Sequence, residues 1–90
     1  MRLQDLLSSR DSWTDDETIY AVQPWGCDAE AMMIGPSPNT TEPVVRSGQQ
    51  YEYFLEGFIA RDCLEDFGVG AGSVSKEACE CLIRYAIYDA

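Results

Sequence analysis

Asp15, Asp16 and Glu17 form the densest group of ionisable side chains in this 90-residue chain, and Asp28 and Glu30 follow across a turn. Carboxylates grouped in this way can hold a divalent cation or divide acid and base roles at a glycosidic bond. Neither chemistry is supported by the spacing. No EF-hand pattern is present, no glycine stands at the required turn position, and a chain this short predicts no deep cleft. The chain contains no histidine. That removes the commonest general base and the Ser-His and Cys-His nucleophile pairs. Cys27, Cys63, Cys79 and Cys81 are separated by 36, 16 and 2 positions, which fits no common zinc pattern. Cys79 and Cys81 would project about 200° apart on a helix. The cysteines are expected as reduced thiols, with no metal and no cofactor, and the chain is expected not to be an enzyme.

Charge is the more informative property. Sixteen acidic residues face six basic ones, for a net charge of −10. Residues 11–45 contain no Lys or Arg, yet hold Asp11, Asp15, Asp16, Glu17, Asp28, Glu30 and Glu42. Direct contact with nucleic acid or an anionic membrane is disfavoured by repulsion. A basic protein surface suits this field, although net charge also serves plain solubility. Trp13 and Trp25 flank the same acids, as does Tyr20. Aromatic rings beside carboxylates are what an interface with a basic partner uses, the rings for buried area and the acids for steering. The alternative is that Trp13 and Trp25 close the ends of the core. Trp13, Asp15, Asp16, Glu17, Trp25, Asp28 and Glu30 are therefore the candidate partner-binding residues.

The elements that must position these residues are readable in outline. Leu3, Leu6 and Leu7 recur at helical spacing and predict a short helix over residues 2–9, with Arg10 suited to its C-terminus. Thr14-Asp15-Asp16-Glu17 has the form of a capping box, but the β-branched and aromatic residues after it predict a strand over 18–22 and leave the box at most a single turn. Such a strand can be covered on both faces. Gln23-Pro24-Trp25-Gly26 ends it. A second strand is expected over 29–34, although the alanines, Glu30 and methionines of this segment also suit a helix, and Gly35-Pro36 closes it. Residues 35–48 read as the longest loop and a mobile one, either functional or merely loose.

Residues 51–56 alternate large and acidic side chains, predicting a strand with Tyr51, Tyr53 and Leu55 inward. After Gly57 the period becomes helical. Ile59, Ala60, Cys63, Leu64 and Phe67 share an inner face, Arg61, Asp62, Glu65 and Asp66 an outer one, and Gly68 suits a left-handed helix terminus. Residues 68–73 are glycine-rich, but they follow a helix and lack phosphate-loop spacing, so they read as a flexible linker. Ser75 is an N-cap for a helix over 76–87, with Ala78, Leu82, Ile83, Ala86 and Ile87 inside and Glu80 paired to Arg84 outside, or else Tyr85–Tyr88 leave it as an extended end.

The expected fold is α+β, a single domain over residues 1–90 with about three mainly antiparallel strands, one N-terminal helix and two C-terminal helices. This order of elements, the acidity and the segment Tyr51-Glu52-Tyr53-Phe54-Leu55 resemble small acidic bacterial domains of the immunity-protein kind. The resemblance extends over most of the chain as order and composition. It implies an α+β fold and inhibition of a basic toxin by binding, and it transfers no site residues. The second functional expectation is an acidic mimic of nucleic acid that occupies a DNA-binding protein. Residues 1–5 lack the apolar core of a secretion signal and no stretch reaches the roughly 20 apolar residues of a membrane span, so the cytoplasm is the expected location.

Overall fold

The computed structural model describes residues 1–36, 41–70 and 72–88. Its elements run α1 (Leu3–Ser8), a 3₁₀ turn (Arg10–Ser12), β1 (Thr18–Ala21), β2 (Ala31–Ile34), β3 (Val44–Arg46), β4 (Gln49–Glu56), α2 (Gly57–Asp66) and α3 (Lys76–Tyr88). The four strands form one antiparallel sheet in the order β2-β1-β4-β3. The α+β class, the N-terminal helix and the two C-terminal helices are as expected. One strand more than expected is present, because part of the long loop is β3. It pairs with β4 through the two-residue turn Ser47-Gly48, whose φ angles of 52° and 78° are those of a type I′ hairpin. The remainder of that loop falls partly on residues 37–40, outside the described residues.

The helices cover one face of the sheet. Leu3, Leu6 and Leu7 of α1, Ile19 and Ala21 of β1, Phe54 and Leu55 of β4, Leu64 of α2 and Leu82 and Ile83 of α3 form one buried cluster. The alternation read in residues 51–56 is broken by a bulge. Ile19 lies opposite Leu55 and Tyr20 opposite Tyr53, which leaves Phe54 as the additional residue. Phe54 and Leu55 therefore both join the helix-side core. Tyr53 turns to the opposite face, where it meets Tyr20 edge-on at 5.9 Å and 84°. The expectation that Tyr51, Tyr53 and Leu55 share one face thus fails at a single inserted position. β1 is buried along its whole length, on both faces, as its sequence suggested.

Two helix ends depart from the apolar stripes. Phe67 is 42% and Ile87 53% exposed. α2 stops one residue before Phe67, and Gly68 at φ +83° turns the chain so that the Val69 N–H reaches the Leu64 carbonyl. Ile87 lies at the last turn of α3 and lines an open depression with Pro24 and Trp25. Cys79, which the stripe left out, is fully buried. Ser75 caps α3 as predicted, accepting from the Ala78 N–H at 3.1 Å. Arg84 donates to Cys81 Sγ at 3.2 Å instead of pairing with Glu80.

α1 is too short to hold itself, and its unsatisfied first-turn donors find external acceptors. Leu3 N–H bonds to the Ala29 carbonyl and Gln4 N–H to the Cys27 carbonyl, at 2.8 and 3.0 Å. α1 in turn fastens the glycine-rich linker. Arg10, only 8% exposed, donates to the carbonyls of Leu7 at 3.1 Å, Gly72 at 2.9 Å and Gly70. Gln4 Nε2 donates to the Val74 carbonyl and Ser8 Oγ accepts from the Val74 N–H, both at 2.9 Å. A segment that reads as free from composition is held by one guanidinium and two polar side chains.

Replacing Arg10 by Met keeps the apolar stem but leaves these carbonyls without a donor. The expected loss is about 2–3 kcal/mol, the scale of buried bonds to a charged group. It is read as a lowered urea midpoint, with faster amide exchange confined at first to residues 68–75.

Stability should also fall at alkaline pH. Burial raises the Cys63 and Cys79 thiols and the Tyr20 and Tyr53 phenols, and the Glu56 carboxylate lifts Tyr53 further. The unfolded chain releases these protons first. The stabilisation is therefore complete below about pH 8.5, declines through the thiol range and falls more steeply beyond about pH 10. Urea midpoints measured from neutral to strongly alkaline pH should trace this curve, and Tyr53→Phe should flatten its upper limb.

Candidate functional site

The acidic segment before β1 is shaped by what it packs against. The 3₁₀ turn carries the chain past α1, and Trp13 then enters the core, 7% exposed. Gly57 lies beside it and lets the Glu17 backbone approach closely. A Cβ at Gly57 would stand 3.0 Å from the Glu17 carbonyl, 3.3 Å from Met33 Cε and 3.4 Å from Trp13 Cε3. The Gly57 N–H bonds to that same Glu17 carbonyl at 2.9 Å, so the start of α2 is set directly on the acidic segment. The capping-box residues form a single turn. Glu17 accepts from the Thr14 N–H at 2.7 Å, and Asp16 from Thr14 Oγ1 at 2.6 Å.

Arg61 of α2 reaches across this segment. Although it was expected on the outer face, its guanidinium donates to the Arg10 carbonyl at 2.9–3.1 Å and to the Trp13 carbonyl. It also lies 5.7 Å from the centre of the Trp13 ring and 3.1 Å from Asp15 Oδ1. The cation thus serves the interior, while the Asp15 side chain remains 92% exposed. Arg10, Asp11, Arg61 and Glu65 line one open groove here, which brings Asp11 and Asp15 beside α2.

Trp25, Asp28 and Glu30 lie at the other end of β1. The strand between the two groups spans roughly 13 Å at the usual rise. Trp25 is half-buried, with its ring 4.9 Å from Phe54 and its indole N–H bonded to the Ala21 carbonyl at 3.2 Å. Asp28 pairs with Arg2 at 3.1 Å and Glu30 with the N-terminal ammonium. Trp25 and Asp28 share a shallow depression with Cys27, Lys76, Glu80, Ile83 and Arg84. The seven candidate residues therefore form two groups rather than one. Among the described residues, no three Cys, Asp or Glu side chains are grouped to hold a metal ion.

The acidic segment gains neighbours that its own sequence does not announce. Asp62, Glu65 and Asp66 are exposed on α2 and lie outside the described ion pairs, which join Met1–Glu30, Arg2–Asp5, Arg2–Asp28 and Arg61–Asp15. Phe58, 44% exposed, precedes them on the same helical face at positions i, i+4, i+7 and i+8. Neither face read for α2 included Phe58, so its exposure was not foreseen. Its place at the head of an acidic row becomes visible once α2 is seen to begin at Gly57.

Comparison with known proteins finds no matching family model, curated protein or solved structure. No helix among the described residues is long and apolar enough to cross a membrane.

Arg61→Ala should cost about 2 kcal/mol, because two backbone carbonyls lose a charged donor and Trp13 loses its cation contact. Asp15→Asn should leave the urea midpoint nearly unchanged, since an exposed ion pair contributes little. Equal losses in the two variants would show that the ion pair, and not the carbonyl contacts, holds Arg61.

Proposed function

We propose that this protein is a non-enzymatic acidic binding protein that meets a basic protein surface, in the manner of an inhibitor or immunity-type partner. The contact surface joins Asp11, Asp15 and Asp16 to Asp62, Glu65 and Asp66 of α2, with Phe58 as an apolar anchor. The observation that carries this reading is the division of labour on α2. Its one cation, Arg61, gives its donors to carbonyls of Arg10 and Trp13 and to Asp15, while three carboxylates and a phenyl ring face solvent. Such a surface steers a basic partner at long range and offers desolvated area at contact. Asp28 and Glu30 lie at the other end of β1, apart from α2, and contribute less to that field.

The test is association with two basic probes, cytochrome c and lysozyme, followed by biolayer interferometry at low and physiological ionic strength. Reversing Asp15, Asp16 and Glu65 together to Lys should slow association by on the order of tenfold at low salt and flatten its salt dependence. Reversing Glu77 and Glu80 on α3 supplies a control, its effect scaled to the same number of reversed charges. Equal effects of the two reversals would mean that net charge alone governs binding, and the assigned surface would be abandoned.

A further inference from the structure

Cys27 and Cys79 are far apart in sequence and adjacent in the fold. Cys27 lies in the turn between β1 and β2, half-buried, with its thiol 3.7 Å from the Lys76 carbonyl in the first turn of α3. Cys79 follows Lys76 by three positions, so its side chain falls on the same face and leans back toward that turn. Cys79 is fully buried, and Cys27 packs against the cluster that contains it. Burial, with the neighbouring Cys27 thiol adding to it, holds Cys79 protonated. The two thiols differ in access. Cys27 lines an open depression of about 260 Å³ together with Trp25, Asp28, Lys76, Glu80 and Arg84, whereas Cys79 is sealed beneath it.

We propose that Cys27 and Cys79 form a reversible modification site, with Cys27 as the thiol that meets an oxidant and Cys79 as the thiol that resolves it. A peroxide transfers one oxygen to Cys27 Sγ, giving a sulfenic acid and releasing water or an alcohol. Cys79 Sγ then attacks Cys27 Sγ. The S–S bond forms, the S–O bond breaks, and the departing hydroxide takes the Cys79 proton and leaves as water. Two thiols are oxidised as one peroxide is reduced. The disulfide fastens the 25–30 turn to α3, and a dithiol reductant reverses it. This site is independent of the acidic surface on α2.

The test uses the full chain and hydrogen peroxide near stoichiometric amount. Thiols are counted after denaturation, and non-reduced tryptic peptides are mapped by mass spectrometry. The wild type should lose two of its four thiols, and the peptide of residues 11–46 should be joined to that of residues 77–84. Cys81→Ser should retain this link. Cys27→Ser, at a half-buried position, and Cys79→Ala should each abolish it, and Cys27→Ser alone suffices if Cys79→Ala fails to fold. Retention of all four thiols, a link to Cys63 or Cys81, or a link between two chains would overturn the proposal.

Discussion

The Arg10 guanidinium and the carbonyls it holds are the constraint from which the helical layer takes its form. α1 has six residues and no side-chain cap at its start, so it persists through tertiary bonds. Arg10 converts this dependence into a connection. By binding Leu7, Gly70 and Gly72 carbonyls together, it ties the end of α1 to the linker between α2 and α3. All three helices then share one anchor. The carbonyl of Arg10 itself accepts from Arg61, which extends the same network to α2 and to Trp13. Burying a guanidinium is costly unless its fork is satisfied, and here the acceptors are backbone oxygens that the glycine-rich segment exposes.

That arrangement changes how the net charge is presented. Six cations serve sixteen carboxylates, and two of the six, Arg10 and Arg61, turn inward to backbone carbonyls. The exterior is thus more one-signed than the composition alone implies. The proposed binding surface on α2 follows from the same cause as the stability of the linker, because Arg61 satisfies buried carbonyls from a helix whose other charged residues are acidic.

Much of the fold was legible because its signals are local. The leucine spacing located α1, Ser75 marked the start of α3, Gly68 ended α2, and Pro24 ended β1. The departures arise from contacts between distant segments. The bulge at Phe54 depends on pairing with β1, which the alternation within residues 49–56 cannot reveal. The linker looked free because glycine composition says nothing of Arg10, sixty positions away. The Ser47-Gly48 turn, by contrast, was a readable hairpin signal, hidden by the prolines before it. Of the candidate site, the acids were legible as a base-free stretch. Their separation into two groups followed from β1 standing between them, and the contribution of α2 from the path of Arg61.

The bulge in β4 has a consequence for the partition of the core. A regular strand would present Tyr51, Tyr53 and Leu55 to the helices together and would place two phenol oxygens within an aliphatic layer, where each requires a partner. One supernumerary residue shifts the phase of the pleat instead. Hydroxyl-bearing rings are sorted to one side and hydrocarbon to the other, so the helical side can close without accommodating a phenol oxygen from this strand.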